Sequence, residues 1–370
     1  MKIHQMGSVL TFGDAVSNQI LEIERRLSAW GFSTSIFGAT LGPGMGRIAQ
    51  LDDAYREHMD DPEALLIYHY SAYCENHLLY ERSRNRKLLI YHNITPGEYY
   101  GPYDLWYESL CSRGREILPR LKDCDLALGA SEYSRQELVQ AGFAGDRTGV
   151  LPIFLQVDDM EATSRDEGLY RRLRHRETRN ILFVGRVAPN KAFEDLIKIF
   201  YLYHQYLNPN SRLLLVGARF LPRYDSALDA LVEHLDLTGA VVFTDRVSQS
   251  ELKTYYEAAD LFLCASQHEG FCVPLVEAMY FGVPILARAE TAVPYTLGPA
   301  GIAFHQMDYG VLAETMHTLV EDQDLRRQVV ATQSRRLDDF AAAKIQARLR
   351  AALQSLGLSV PEDASPTNGV

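Results

Sequence analysis

The fold is decided by residues 261–279, which have the sequence LFLCASQHEGFCVPLVEAM. Leu261–Ala265 is an unbroken apolar run, which is typical of a strand buried on both faces of a parallel sheet. Pro274 suits the first turn of a helix, because its missing N–H costs no hydrogen bond there. The stretch therefore predicts a strand, a loop and a helix in succession, with Glu269 and Gly270 in the loop.

The predicted loop has the features of a ligand site. In open parallel sheets, ligands bind outside the carboxyl ends of the strands, and Gly270 lets the backbone approach a ligand closely. The N–H groups at the start of the helix favour an anion such as a pyrophosphate. Glu269 and Glu277 offer acceptors for sugar hydroxyls. The alternative is that Glu269 only complements the helix N-terminus, while Glu277 lies on a solvated helix face.

Similar apolar runs alternate with amphipathic helical stretches along the whole chain. The runs typical of strands are Leu65–His69, Lys87–His92, Leu126–Gly129, Asn180–Gly185, Arg212–Val216, Ala240–Phe243, Leu261–Ala265 and Val283–Ala287. The stretches typical of helices include Ser17–Trp30, Phe193–Tyr206 and Gln249–Ala259. This alternation predicts an α/β protein with parallel sheets.

The length of 370 residues predicts two domains. We expect a first domain over residues 1–165 and a second over 166–339, since the charged segment around their boundary has no strand pattern. A helix is expected over 340–357, and a tail over 358–370 is expected to be disordered.

Composition limits the partners and the compartment. The net charge of -11 argues against a nucleic-acid partner, which usually requires a basic surface. The five cysteines are scattered, so neither a zinc site nor a disulfide framework is predicted. No run reaches the roughly 18 apolar residues that span a bilayer. We therefore expect a cytoplasmic protein, with peripheral association at the inner face of the membrane left open.

The region from Glu269 to Ile285 resembles a known family. Glu269 and Glu277, with seven residues between them, match the Glu-x7-Glu signature of retaining glycosyltransferases of family 4, which have the GT-B fold. The stretch Gly282–Ile285 is similar as well. The resemblance implies that Glu269 contacts the transferred sugar and that Glu277 binds the ribose of the nucleotide. The loop residues expected at the donor are Gly270, Phe271, Cys272 and Val273.

A second segment, Val184–Lys191, is similar to the Gly-Arg-x-x-x-x-Lys segment of the same family. Arg186 can grip phosphate oxygens with its planar guanidinium, and Lys191 adds a second positive charge. Together they would neutralise a departing diphosphate, so no metal and no cofactor is expected. The family usually has Gly after this Lys, and here the residue is Ala192. Taken alone, the two cations could instead be ordinary surface charges.

Two further positions follow from the resemblance. The segment Tyr91–Pro96 is similar to a segment of many family members in which a His at the end of the strand faces the donor sugar. His92 is therefore the expected site residue of the first half. Because family members are described by a mechanism in which the leaving phosphate takes the proton, His92 would orient or polarise hydroxyls. A hydrogen-bonded buried His is the alternative. Val247 follows a predicted strand and resembles the family position at which backbone groups contact the nucleobase. The alternative is that Val247 lies in an ordinary loop between a strand and a helix.

Thr11–Val16 occupies the place of the family's N-terminal glycine-rich loop. Gly13 would let the backbone approach the donor phosphate. Asp14 would either cap the following helix or contact substrate hydroxyls. The glycines in Gly42–Gly46 do not have dinucleotide-binding spacing, which argues against a Rossmann oxidoreductase.

An aromatic cluster follows His92 in the sequence. It is expected to line an acceptor groove, or alternatively to belong to the local core or to form a mobile lid. Its members are Tyr99, Tyr100, Tyr103, Trp106 and Tyr107.

Together, the resemblance implies a GT-B architecture of two doubly wound Rossmann-like domains facing across a cleft. It also implies that the helix over 340–357 crosses back to the first domain. The implied reaction is retaining transfer of a hexosyl unit from GDP-mannose or a UDP-hexose. The implied acceptor is a hydroxyl of a glycan or a lipid-linked sugar, in surface polysaccharide synthesis. The alternatives are a non-catalytic nucleotide-sugar-binding protein and a GT-B epimerase or phosphorylase.

Overall fold

The computed structural model describes residues 1–155, 157–175 and 178–361, without the side chains of residues 157–159. The chain forms two compact units. The first comprises Met1–Ile94, Arg113–Phe154 and the described residues from Ala341 on, and the second comprises Thr95–Ser112 and Leu155–Phe340. Each unit is an α/β structure with a parallel sheet, which confirms the predicted fold class. Most of the tail predicted to be disordered, residues 362–370, lies outside the described part of the chain.

The strands and helices alternate along both units. The strands are β1 Lys2–Leu10, β2 Ser33–Leu41, β3 Gln50–Leu51, β4 Leu65–Tyr70, β5 Arg86–Tyr91, β6 Leu126–Gly129, β7 Thr148–Val150, β8 Arg179–Val184, β9 Ser211–Val216, β10 Val241–Phe243, β11 Leu261–Cys264, β12 Ile285–Arg288 and β13 Ile302–Phe304. The α-helices are α1 Ala15–Ala29, α2 His77–Arg82, α3 Leu105–Ile117, α4 Glu132–Gln140, α5 Val157–Ala162, α6 Glu167–Leu173, α7 Phe193–Leu202, α8 Pro222–His234, α9 Gln249–Ala258, α10 Val273–Tyr280, α11 Val293–Leu297, α12 Tyr309–Glu321, α13 Gln323–Leu337 and α14 Ala342–Ser355.

In the first unit, the sheet has the strand order β3-β2-β1-β4-β5-β6-β7. The chain adds β2 and β3 on one side of β1 and then crosses to β4 on the other side, with Ile3 opposite Leu65. This reversal makes the carboxyl ends of β1 and β4 a topological switch point, where ligands of doubly wound folds bind. The loop that contains Gly13 and Asp14 follows β1, and His92 follows β5.

The last helix packs on the first unit. In α14, Ile345, Leu349 and Leu353 are fully buried in one cluster with strand residues such as Ile3 and Leu65. These three side chains are four residues apart, so they form one apolar face of a helix. The C-terminal helix is thus part of the first unit by its own burial pattern.

In the second unit, the sheet has the strand order β10-β9-β8-β11-β12-β13. The chain adds β9 and β10 on one side of β8 and then crosses to β11 on the other side, so the switch point lies between β8 and β11. Both strands are buried and apolar, as the sequence predicts. Among the described residues, no helix combines the length and the apolar character that crossing a membrane requires.

The segment Thr95–Ser112 belongs to the second unit, whereas the predicted domain bounds placed it in the first. Tyr100 is buried in the core of the second unit. The ring of Tyr103 lies 4.8 Å from that of Tyr224, between centroids, and the ring of Tyr107 lies 5.0 Å from that of Phe220. The burial of these large rings decides the assignment, because aromatic side chains dominate core energetics.

Candidate functional site

Hydrogen bonds join the loops that follow β8 and β11. Asn190 donates from its side-chain amide to the carbonyl of His268 at 2.9 Å, and its own carbonyl accepts from the N–H of Gln267 at 2.9 Å. Asn190 is buried, so both bonds are shielded from water. Sequence reasoning assigned no role to Asn190, because bonds to main-chain groups follow no residue pattern.

Lys191 and Glu269 meet across these two loops. Lys191 Nζ lies 2.5 Å from Glu269 Oε1, and Glu269 is only 7% exposed. Burial disfavours a charged lysine, but Glu269, together with the nearby Cys272 and Cys264, outweighs this effect and the pKa of Lys191 is raised. The N–H of Glu269 also donates to Thr291 Oγ1 at 2.9 Å. The two predicted site residues therefore form a fixed ion pair, which the sequence did not predict.

The backbone at Ala192 explains why the family usually has Gly at this position. Ala192 has φ 51° and ψ 54°, which is the left-handed region, and it precedes α7 as the N-cap residue. An L-residue is strained in this region and Gly is not. The tight turn presents the preceding Lys191 to Glu269, so the strain is located directly beside the ion pair.

Arg186 is exposed at the end of β8. Its guanidinium carbon lies 4.5 Å from the centre of the Phe220 ring, a cation–π distance. Burial raises the pKa of Tyr100, while the charges of Arg186 and Lys191 act in the opposite direction. The hydroxyl of Tyr100 also lies 3.5 Å from Oδ1 of Asn190, the residue before Lys191. The aromatic segment after His92 thus includes a residue next to the predicted diphosphate-binding groups.

The start of α10 has the predicted form. Cys272 is the N-cap residue in a left-handed conformation with φ 70°, and no side chain caps the helix. The helix begins at Val273 with Pro274 in its first turn. The carbonyl of Phe271 accepts a hydrogen bond from Thr296 Oγ1 at 2.5 Å, which holds the loop between β11 and α10 in place. Phe271 and Cys272 are buried, and Gly270 and Val273 are partly exposed.

Glu277 lies one turn into α10. Its Oε2 accepts a hydrogen bond from the hydroxyl of Tyr256 at 2.6 Å. Burial raises the pKa of Glu277, and the Tyr256 hydrogen bond offsets this only in part. The sequence did not single out Tyr256, which lies in α9 and shares no motif with α10.

One group of side chains could hold a soft metal ion. The donor atoms of Cys264, Glu269 and Cys272 lie within 4.8 Å of one another and are buried, the one group of three or more such residues among those the structure describes. The sequence predicted no metal site, since these residues lack a metal-binding spacing. Glu269 is paired with Lys191, and the positive charge of this lysine opposes a cation at the same place.

Val247 lies in the loop between β10 and α9 and packs, partly buried, against the core of the second unit. The neighbouring Arg246 is exposed. The backbone contact with a nucleobase that we expect at Val247 stays a prediction.

In the first unit, His92 ends a polar row whose other two members, His69 and Gln5, are buried. His92 Nε2 lies 3.0 Å from His69 Nδ1, and His69 Nε2 lies 3.0 Å from Gln5 Oε1. Burial lowers the pKa of His92 to about 4. Burial also lowers the pKa of His69, and the neighbouring His92 adds to the effect. Sequence reasoning missed His69 and Gln5, since each is one polar residue within an apolar strand.

The loop after β1 holds the other two predicted residues of the first unit. Gly13 has φ 81°, a conformation that favours glycine, and is exposed. Asp14 Oδ2 accepts hydrogen bonds from the N–H groups of Val16 at 3.1 Å and Ser17 at 3.0 Å. The capping alternative for Asp14 is thus what the structure contains, and contact with a substrate stays a prediction.

Comparison with known proteins gives matches to part of the chain by sequence and to almost the whole chain by structure. Residues 170–336, in the second unit, match the family model described as Glycosyl transferases group 1. The chain is 31% identical over 151 residues to the O-antigen chain mannosyltransferase B of Escherichia coli, which covers 41% of this chain and 39% of that protein. It is 28% identical over 153 residues to the D-inositol 3-phosphate glycosyltransferase of Corynebacterium glutamicum (strain R), covering 40% and 37%. The chain thus spans less than two thirds of the length of these relatives.

Solved structures match over almost the whole chain. HepE of Anabaena, in complex with UDP-glucose, has a TM-score of 0.74 at 17% identity, covering 96% of this chain and 100% of that one. WaaG, a glycosyltransferase involved in lipopolysaccharide biosynthesis, has a TM-score of 0.71 at 16% identity, covering 97% and 100%. At such identities the likeness concerns the fold. Residues 170–336 of the second unit therefore match a glycosyl transferases group 1 domain, and the chain has the two-unit α/β fold of GT-B glycosyltransferases.

Proposed function

We propose that this protein is a retaining glycosyltransferase that moves a hexosyl unit from a nucleoside-diphosphate sugar to a hydroxyl group of a glycan or lipid-linked acceptor. The observation that carries the proposal is the Lys191–Glu269 pair at the switch point between β8 and β11. In such folds nucleotides bind at the carboxyl ends of the strands, where Lys191 would contact a diphosphate and the adjacent Glu269 a sugar.

The donor site is proposed from the charges of the second unit. An ammonium group has three donor protons, so Lys191 can keep its bond to Glu269 and still donate to a diphosphate oxygen. Arg186 is exposed and adds a second positive charge. The N-terminus of α10 has no side-chain cap, so its N–H groups can also bind the anion. These groups would stabilise the charge that develops on the leaving diphosphate, and no metal is needed for this role.

Glu269 and Glu277 have different proposed partners. Glu269 lies in the loop before α10 and would accept hydrogen bonds from hydroxyls of the transferred sugar. Glu277 lies one turn further along and would accept them from the ribose of the nucleotide. Glu277 already accepts one bond from Tyr256, and a carboxylate has acceptor sites for more. The acceptor hydroxyl would attack the anomeric carbon from the face that the diphosphate leaves, so that the new glycosidic bond replaces the bond to the phosphate with retention. Its proton would pass to the leaving phosphate.

The relatives support a choice of donors and a biological setting. One relative bears the name O-antigen chain mannosyltransferase, and one structural neighbour binds UDP-glucose. We therefore propose GDP-mannose and UDP-glucose as the first donors to test, and surface polysaccharide synthesis as the setting. The proposed location is the cytoplasm or the inner face of the membrane, where a lipid-linked acceptor would be reached.

The test is a transfer reaction with the full chain. Each donor is incubated with octyl glucoside and octyl mannoside as simple hydroxyl acceptors, and release of the nucleoside diphosphate and formation of the glycoside are followed. Proton NMR of the product gives its anomeric configuration. We expect acceptor-dependent release and a product with the configuration of the donor. Inversion would refute the retaining mechanism, and nucleotide binding without any transfer would favour a non-catalytic binder.

Variants separate the two glutamates. Glu269→Ala should reduce transfer far more than it reduces binding of the bare nucleotide. Glu277→Ala should weaken nucleotide binding itself, and Glu314→Ala, at an exposed position of α12, serves as the matched control. The reverse pattern between Glu269 and Glu277 would overturn the assigned roles. Cleavage that requires inorganic phosphate would instead identify a phosphorylase, and interconversion of the free donor would identify an epimerase.

A further inference from the structure

Three polar side chains form a row across neighbouring strands of the first unit. Gln5 lies in β1, His69 lies in β4, and His92 follows β5, and these strands are adjacent in the sheet. The contacts are both 3.0 Å, between Gln5 Oε1 and His69 Nε2 and between His69 Nδ1 and His92 Nε2. Gln5 and His69 are at most 1% exposed. The polar atoms that join Gln5 to His69, and Nδ1 of His69, must therefore be satisfied by their neighbours in the row rather than by water.

The orientation of the Gln5 amide fixes the direction of the first bond. Gln5 Nε2 lies 3.1 Å from the carbonyl oxygen of Ile20 and 3.1 Å from Glu24 Oε2. Both partners can only accept, so the amide nitrogen must face them and the amide oxygen must face His69. Because an amide oxygen can only accept, His69 Nε2 carries a proton and donates it to Gln5.

The second bond follows from the protonation of His69. Burial and the adjacent His92 lower the pKa of His69 well below that of an exposed imidazole, so the ring is neutral and has one N–H. That N–H is at Nε2, so His69 Nδ1 is an acceptor. His92 Nε2 must then carry a proton and donate it to His69.

The remaining nitrogen of His92 is therefore an acceptor. Burial holds the pKa of His92 near 4, so this ring is also neutral at pH 7 and Nδ1 has a lone pair. His92 Nδ1 is buried and has no hydrogen-bond partner among the residues that the structure describes. A buried polar atom without a partner is costly, which makes it a place for a donor group of a ligand.

We propose that Gln5 and His69 are positioning residues that hold His92 in the tautomer protonated at Nε2, so that Nδ1 accepts a hydrogen bond from a substrate hydroxyl. The inference rests on the proposed function in one respect, that the ligand is a sugar. It gives His92 a definite polarity: the residue binds a hydroxyl as an acceptor and does not donate to a phosphate or another anion. His92 Nδ1 also has no proton to supply to a leaving group.

The tautomer can be measured without any substrate. In the full chain labelled with ¹⁵N-histidine, a long-range ¹H–¹⁵N correlation spectrum at pH 7 separates protonated from unprotonated ring nitrogens, and His92→Gln assigns the signals. We expect a protonated Nε2 and an unprotonated Nδ1 for His92. His77 provides an internal standard with the opposite tautomer, because its Nδ1 lies 2.7 Å from the carbonyl oxygen of Cys74 and must donate. A proton on His92 Nδ1 overturns the inference.

Two variants of His69 test the coupling to activity. In His69→Asn, the side-chain oxygen can take the place of Nδ1 and accept from His92, whereas His69→Leu removes the acceptor. We expect His69→Asn to retain the tautomer of His92. His69→Leu should leave His92 as a mixture of tautomers. It should also lower kcat/KM for transfer by about 10-fold, which corresponds to the loss of one hydrogen bond. Equal losses in both variants, with the tautomer unchanged, would indicate a merely structural role and overturn the inference.

The two proposals fail separately. If the wild type has the expected tautomer but transfers no sugar, the row of hydrogen bonds stands and the proposed function falls. If the wild type transfers sugar but His92 Nδ1 is protonated, the function stands and this inference falls. The measurement on the wild type needs no variant, so it decides the tautomer even where a substitution at His69 prevents folding.

Discussion

Lys191 Nζ lies 2.5 Å from Glu269 Oε1, and this ion pair links the loop after β8 to the loop after β11. The residues are 78 positions apart in the chain. The pair orients the cation and the carboxylate before any donor arrives. Such preorganisation is an advantage for catalysis, because polar groups that are already fixed need no reorganisation as charge develops.

A double-mutant cycle tests the ion pair. Lys191→Met or Glu269→Gln alone leaves the partner unpaired in a largely buried place, so each should lower the free energy of unfolding by roughly 3 kcal/mol. The double variant should lose clearly less than the sum of the two. Urea unfolding of the full chain measures all three. The exposed pair Arg56–Asp53 is the control, with a coupling within about 1 kcal/mol. Additive losses at Lys191 and Glu269 would contradict the pairing.

Ionisation of Glu277 should lower the free energy of unfolding, so stability should depend on pH. Burial raises the pKa of Glu277 in the folded chain above its ordinary value of 4.5, so the wild type loses stability as the pH rises through the folded-state pKa. Gln cannot ionise and can still accept from Tyr256. Glu277→Gln should match the wild type in stability near pH 4 and exceed it at pH 7, by on the order of 1 kcal/mol.

Thermal unfolding over this pH range is the measurement for Glu277→Gln. The same substitution at Glu314, which is exposed, should produce no gain that depends on pH. A gain of equal size at pH 4 and pH 7 would show that ionisation of Glu277 is not the cause. Nucleotide affinity of Glu277→Gln should fall at the same time, because the ribose loses a charged acceptor.

Gly217 positions the loop that contains Arg186. It follows β9 with φ 151°, and an added Cβ would overlap the carbonyl of Gly185 more closely than any real contact. Gly217→Ala should therefore displace Arg186 and weaken nucleoside-diphosphate binding by about 10-fold, about 1.4 kcal/mol. Gly239 also has positive φ but nothing within 4 Å of an added Cβ. Gly239→Ala should thus cost about 1 kcal/mol of stability without changing binding, as titration calorimetry and thermal unfolding would show. Equal binding by both variants would contradict the role of Gly217.

Local patterns in the sequence were sufficient for the framework of the site. Pro274 and the apolar run before it predicted the strand, loop and helix from Leu261 to Tyr280, because periodicity and helix-start signals act over a few residues. The role of Asp14 as the N-cap residue of α1 could likewise be predicted from the sequence.

The long-range contacts could not be predicted in the same way. The pairing of Lys191 with Glu269 and the row from Gln5 to His92 join residues on separate strands and loops. No local period encodes such contacts. The segment Thr95–Ser112 lies between two strands of the first unit in the chain, yet its rings pack in the second. Only the packing of large aromatic side chains decides that assignment.

Binding of a nucleoside diphosphate is the central claim, and a thermal-shift panel tests it most directly. The full chain and the variants Glu269→Ala and Glu277→Ala are heated with UDP, GDP and ADP and with their sugar conjugates. At about 100 times Kd, a bound ligand adds about 2.7 kcal/mol to the folded state. At least one nucleoside diphosphate should raise the Tm of the wild type and of Glu269→Ala, and the rise should be much smaller in Glu277→Ala. If no nucleotide in the panel raised the Tm of the wild type, the account of this protein as a nucleotide-sugar transferase would be contradicted.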